Sequence, residues 1–256
     1  MNLLSKKIIS LFLLIQLSLL SINAVASDSN TIKNMPLDDK IKIEIISDVV
    51  CPWCAIGYKR LSTAIEELKL INKVEITWHP FQLNPDMPRE GQNADKYLMN
   101  KLGLSKDALL NKRSSVTKTG EESGFKFDYF RKMKKLNTLN SHILLDYAKE
   151  YGKQTELKVR LQEAYFGERK NISNRTVLAN ELKVVGLNAV EALARLDDET
   201  AILHVQNEEK LWRNRGVYAI PTMVFDNSVV RVGANEVATY KQILIELTKK
   251  RAERKQ

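Results

Sequence analysis

Residues 48–56 read DVVCPWCAI and contain both cysteines of the 256-residue chain, Cys51 and Cys54, with Pro52 and Trp53 between them. Upstream, Ile41, Ile43 and Ile45 alternate with Lys42 and Glu44, the period of a strand with one buried face. Downstream, Cys54, Tyr58, Leu61, Ile65 and Leu68 step by four, three, four and three, which marks one face of a helix. Pro52 suits the first position of that helix, where its missing N–H is no loss and its fixed φ fits the turn. Cys51 therefore falls at the N-cap. Unpaired backbone N–H groups and the positive end of the helix dipole face its sulfur there, favouring thiolate over thiol and lowering its pKa. Cys54 opens the apolar stripe and is expected to be the more buried of the two, beneath an exposed Cys51.

That asymmetry has a chemical use. An open, ionised sulfur can attack or be attacked, while a sheltered neighbour resolves the mixed disulfide. Two other readings compete with it. A purely structural disulfide at this spacing closes a very short loop and contributes only about 2 kcal/mol, against about 5 kcal/mol for a loop of roughly a hundred residues. A metal site needs two more ligands, and His79, His142 and His204 are far apart, with no second C-x-x-C and no H-x-x-x-H pair. No metal site and no cofactor are expected. A C-x-x-C beside a β-α-β pattern signals redox chemistry.

Further along, Val74, Ile76 and Trp78 alternate with Glu75 and Thr77, giving a second strand, and Pro80, Pro85 and Pro88 interrupt the stretch beyond it. From about 92 to 215 there is no proline and helical spacing recurs, with breaks expected near Gly120, Gly152 and Gly186. Thr222–Phe225 and Val229–Val232 are short β-rich runs joined by Asp226-Asn227-Ser228, a hairpin signal. A last helix carries Val237, Tyr240, Leu244 and Leu247 on one face. Pro221, in GVYAIPTMVF, starts the first hairpin strand, a position open to proline. The predicted order is β-α-β, a helical block, then α-β-β-α. Trp78 reads as core, His142 as a histidine near a helix start with no catalytic role, and His79 carries no assignment.

The N-terminus is read separately. Lys6 and Lys7 precede the run IISLFLLIQLSLLSI, which ends in Ala24-Val25-Ala26, the pattern of a signal peptide spanning 1–26 and cleaved after Ala26. Residues 27–40 form a short polar leader. The expected product is therefore exported, in a periplasmic or similar compartment. Its formal charge falls from +9 to +7, spread thinly except for KKRAERK near the C-terminus. Nucleic-acid binding would want a basic patch interleaved with stacking aromatics. None is evident, so no nucleic-acid partner is expected, and the terminal cations suit the negative pole of a helix.

CPWC after a strand and IPT before a hairpin, with a helical block between, resemble the DsbA family of thiol-disulfide oxidoreductases. DVVCPWCAIG, ITWHPFQLNPDMP and NTLNSHILLDYAKEYGK are most similar to its FrnE branch, and the likeness spans roughly residues 41–245. The resemblance implies an α/β thioredoxin fold split into 41–91 and 201–256, with an all-helical insertion over 92–200. It implies a redox-active Cys51–Cys54 disulfide and a cis peptide between Ile220 and Pro221 lying against it. Pro221 then belongs to the catalytic set, while Pro52, Trp53 and the Ile220 backbone meet the substrate chain. Cysteine-containing exported proteins are the implied substrates, and a membrane quinone-linked oxidase of the DsbB kind is the implied recycling partner.

The chain departs from the pattern in two places. The strongest oxidants of the family carry histidine between the cysteines, where this sequence has Trp53, and FrnE-like members often lack an export signal. Disulfide donation is the expected direction, with isomerase or reductase activity as the alternative. Dedicated isomerases dimerise through an N-terminal domain, for which a leader of 14 residues is too short. Kappa-class glutathione transferases and hydroxychromene-carboxylate isomerases share the architecture but resemble SPYS at the turn. Cys51 and Cys54 stand where those serines would be, and a glutathione-using isomerase has no need of a resolving thiol.

Overall fold

A computed structural model describes residues 40–253 of the chain. The expected signal peptide and all but the last residue of the expected leader lie outside the described residues. Among those described, no helix is long and apolar enough to cross a membrane.

Strand β1 (Ile41–Ser47) leads through Asp48-Val49-Val50 to helix α1 (Pro52–Glu67) and then to β2 (Val74–Pro80). β1 and β2 pair in parallel from Ile41 opposite Val74 to Ser47 opposite Pro80. At the far end of the chain, β5 (Thr222–Phe225) and β6 (Val229–Val232) form the hairpin, with α9 (Val237–Glu253) after it. Asp226 and Asn227 both take positive φ at its turn, a conformation that short polar side chains tolerate best. β5 pairs antiparallel with β1, so the four-stranded order is β2-β1-β5-β6.

The alternation read in β1 holds for its first half only. Ile41, Ile43 and Ile45 face Leu61, Ile65, Tyr240 and Leu244 of α1 and α9, while Lys42 is exposed. From Ile45 onward every residue of the strand is buried, because Ile46 meets Phe81, Trp212 and Val217 on the other face. A central strand covered on both sides loses its period-two signature.

Between β2 and β5 lies the insertion. It runs through β3 (Gln92–Asn93), α2 (Ala94–Leu102), α3 (Lys106–Glu122), β4 (Lys134–Lys135), α4 (Leu139–Glu150), α5 (Gln154–Phe166), α6 (Arg175–Val184) and α7 (Ala189–Ala194). Helix α8 (Glu199–Asn214) then returns the chain to the sheet. The block is helical except for the two-residue strands β3 and β4, which pair antiparallel and are too short to be read as alternation. Its apolar core, built on Leu144, Tyr147, Leu157, Leu161 and Phe166, also takes in Val49, Val50, Ala55 and Ile56 from the segment around the cysteines. The insertion thus packs directly on the start of α1. It also closes the open edge of the sheet, where the Gln154 side chain accepts from the Trp78 N–H at 2.9 Å and donates to the Trp78 carbonyl at 3.0 Å, as a neighbouring strand would. Trp78 is buried, as expected.

The expected breaks at Gly152 and Gly186 fall after α4 and α6, each with positive φ. The break expected near Gly120 does not: α3 continues through it to Glu122, and the turn is made at Gly124. Gly120 serves packing instead. A Cβ there would stand 2.4 Å from the Phe127 ring and 2.8 Å from the Phe125 carbonyl. Gly120→Ala is expected to destabilise the fold by about 1–3 kcal/mol, as overpacking against a ring and a fixed backbone outweighs the gain of about 1 kcal/mol in helix propensity. A lower urea midpoint with an unchanged slope would bear this out, and an unchanged or higher midpoint would refute it.

Candidate active site

The strand-to-helix corner puts Cys51 in an extended conformation, φ −95° and ψ 114°, at the N-cap of α1, with Pro52 opening the helix. Both cysteines are free thiols. Cys54 is fully buried, the deeper of the two as expected. Cys51, however, is not exposed: only 4% of it is accessible, because the Ile220–Pro221 loop and the insertion close over the corner. Its access is through a groove of about 280 Å³ that it lines together with Pro52, Trp53 and Ile220. The opposite wall is apolar, from Leu98, Leu109, Val116, Met133 and Phe166 of the insertion, with Lys112 and Arg113 among them. Trp53, 39% accessible, is the open member of the corner.

The Ile220–Pro221 peptide is cis. The Cys51 Sγ lies 4.0 Å from the Ile220 carbonyl oxygen, so the loop before β5 faces the sulfur directly. This loop is pinned by the Thr222 hydroxyl, which donates to the Ala219 carbonyl at 2.7 Å, and by the Gly233 N–H, which donates to the Pro221 carbonyl at 2.7 Å. It comes this close because residue 57 is glycine. A Cβ there would stand 3.2 Å from the Pro221 ring and 3.4 Å from Met223 and Ala234.

The two thiols have opposite electrostatics. Hydrogen bonding from the Cys54 thiol, then from its backbone N–H, outweighs burial and lowers the Cys51 pKa; Lys135 assists and Asp48 opposes. Burial raises the Cys54 pKa well above its usual value, the adjacent Cys51 sulfur raises it further, and Lys158 and Ser47 pull it down. The helix terminus anticipated from the sequence is thus only part of the cause. The partner thiol is the larger one.

Four buried polar groups around the pair carried no readable signal. Asp48 is fully buried and accepts from the Leu83 N–H at 2.9 Å, with His142 Nε2 at 3.5 Å, the edge of hydrogen-bonding reach. Burial would raise its carboxyl, but His142, the Leu83 N–H and Lys158 together hold it below the usual value. Lys135, on β4, is also buried and lies 3.5 Å from the Val50 carbonyl; burial lowers its pKa against the pull of Cys51 and Asp48. Lys158, on α5, is 1% accessible, and its ammonium lies over the Trp78 ring at 5.2 Å. Burial lowers its pKa to about 8, although the Cys54, Asp48 and Cys51 charges favour the ammonium. His142 is buried as well. Its place beside Asp48 is visible only once α4 is packed. His79, unassigned from sequence, lies with Nδ1 2.6 Å from Glu208 and Nε2 3.4 Å from Glu44, and lines a small cavity with His142 and Lys158.

The profile of the DSBA-like thioredoxin domain matches residues 42–244. The chain belongs to this family. A curated relative, the uncharacterised protein YwbO of Bacillus subtilis, is 24% identical over 216 residues, covering 82% of this chain and 99% of its own. Among solved structures, a probable DsbA oxidoreductase of Streptomyces coelicolor superposes with a TM-score of 0.75 at 25% identity, over 80% of this chain and 89% of that one. The cytosolic disulfide reductase DsbM of Pseudomonas aeruginosa, solved with GSH, shares the fold at a TM-score of 0.58 and 16% identity, over 81% and 99% of the two chains. This family member is a thiol-disulfide oxidoreductase on a thioredoxin fold with a helical insertion.

Lys158 gives the site a measurable signature. Below about pH 8 the lysine is charged whether the chain is folded or not, and its burial costs about 3 kcal/mol. Between about pH 8 and 10.5 the unfolded chain holds this proton more tightly than the folded one, so the penalty disappears as pH rises. Lys158→Met is therefore expected to raise the urea midpoint at neutral pH, with the difference from the parent closing near pH 10. Measuring both proteins in the oxidised form keeps thiol titration out of the comparison. A variant less stable than the parent at neutral pH would contradict the assignment.

Proposed function

We propose that the protein makes disulfides in exported protein substrates through its Cys51–Cys54 pair. The reading rests on one observation: the sulfur that lines the groove is the one whose thiolate is stabilised, and the sealed sulfur beneath it is the one whose thiolate is not. In the oxidised enzyme a substrate thiolate attacks the Cys51 Sγ and breaks the Cys51–Cys54 bond, and Cys54 leaves as a thiolate. Lys158 is the buried cation that meets this charge, and a proton then restores the Cys54 thiol. A second substrate thiolate attacks the substrate sulfur of the mixed disulfide and expels Cys51. The substrate has lost two electrons and gained a disulfide, and the enzyme holds two thiols. A stabilised Cys51 thiolate is a good leaving group and favours the reduced enzyme, which is the thermodynamic sense of an oxidant.

The Ile220 carbonyl, facing Cys51, is the acceptor we assign to the backbone N–H of the substrate chain, with Pro221 holding it in place. Pro52 and Trp53 form the near lip of the groove. The N-terminal signal supports work in an oxidising compartment, where such disulfides persist. Re-oxidation then calls for a membrane partner of the DsbB kind.

Three measurements test this reading. Ultraviolet titration of the reduced protein should show one thiolate forming below the usual thiol value of about 8.5, and Cys51→Ser should remove it. Cys54→Ala carrying Cys51 as a mixed disulfide with thionitrobenzoate should release thionitrobenzoate to a reduced single-cysteine substrate and accumulate the enzyme–substrate mixed disulfide, while the oxidised parent transfers its disulfide completely to a reduced multi-cysteine substrate. Preferential repair of scrambled bridges, with no net transfer, would make the protein an isomerase instead. An unaltered thiolate titration in Cys51→Ser would remove the basis of the proposal.

A further inference from the structure

Helices α4 and α8 pack so that Asp146 faces His204 and Glu208, the latter two one turn apart on the same side of α8. Ligand atoms of all three lie within 4.8 Å of one another, and His204 Nε2 is 3.7 Å from an Asp146 oxygen, too far for a hydrogen bond. A point between atoms so spaced is at most about 2.8 Å from each, and small rotations of the three side chains would bring this to the roughly 2.0–2.2 Å of a zinc–nitrogen or zinc–carboxylate bond. We propose that Asp146, His204 and Glu208 bind a divalent transition-metal ion of the zinc class, clipping α4 of the insertion to α8.

Three features support the site beyond proximity. Glu208 is already held from behind: His79, buried and packed at a tilt against Trp212 with ring centres 4.7 Å apart, hydrogen-bonds one of its oxygens at 2.6 Å and leaves the other for an ion. A hydrogen-bonded partner behind a ligand is the usual outer layer of a metal centre. Two carboxylates also share this space with no lysine or arginine ion pair to either of them among the described residues. Finally, one imidazole and two carboxylates, with His204 60% accessible, match zinc-type ligand chemistry with positions left for water.

The sequence hid this site. His204 and Glu208 form an H-x-x-x-E step, and the third ligand comes from a helix more than 50 residues earlier.

The test uses the untagged full-length protein in its oxidised form, so that the cysteines offer no thiolate. Zinc titrated calorimetrically should bind one equivalent, and cobalt should give visible ligand-field bands without sulfur charge transfer. His204→Ala and Glu208→Gln should abolish binding, and His79→Gln should weaken it by about ten-fold. Zinc should also raise the melting temperature of the parent but not of His204→Ala, whose exposed side chain is not needed for folding. Absence of saturable binding, or undiminished binding in His204→Ala, would overturn the proposal. The outcome does not depend on the redox reading, because neither thiol takes part.

Discussion

The close approach of the Ile220–Pro221 loop to the first turns of α1 governs the rest of the redox centre. Two chain segments more than 160 residues apart meet there, with the Pro221 ring over Gly57 and the Ile220 carbonyl facing the Cys51 sulfur. A side chain at 57 would press the Pro221 ring outward by about a few tenths of an ångström and loosen the cover over the sulfur. The sheet serves this contact: antiparallel pairing of β1 with β5 brings the corner after one strand and the loop before the other to the same edge.

Beneath that contact lies an unusual concentration of buried charge. Asp48, Lys135 and Lys158 would each resist burial alone, yet all three are enclosed around a pair of thiols whose protonation they bias in different directions. Burying such groups is a poor route to stability. On the proposed mechanism their presence is better understood through the thiols, since the charge on Cys54 would change during exchange and a fixed cation nearby would lower the barrier to that change. Fold stability and redox function are therefore in tension at Lys158.

The insertion has more than one structural task. Its core encloses Val49, Val50, Ala55 and Ile56, so the corner bearing the cysteines is clamped between the sheet and the helices. Its residues supply the far wall of the groove, and Gln154 completes the hydrogen bonding of β2 at an edge that would otherwise be open to pairing with another chain. Lys158, whose charge acts on both thiols, projects from the same helix as Gln154. One docking event thus seals the sheet, shapes the approach to Cys51 and delivers the buried cation.

Local rules sufficed for β1, α1, β2, the hairpin and α9, because strand and helix periods, a proline at the first helical position and an Asp-Asn-Ser turn act over neighbouring residues. They also singled out Cys51 and Cys54 and ranked their burial. Asp48, Gly57, Lys135, Lys158 and the partners of His79 and His142 escaped, since each owes its surroundings to segments distant in the chain. The same holds for two of the departures from the sequence reading. Gly120 reads as a helix end until Phe127 is seen packed against it, and Cys51 reads as exposed until the insertion and the Pro221 loop close over it. The chain alone determined which sulfurs could react and which elements present them. Only the tertiary structure decided how they are charged and reached, because burial and electrostatics depend on what folds back onto the corner.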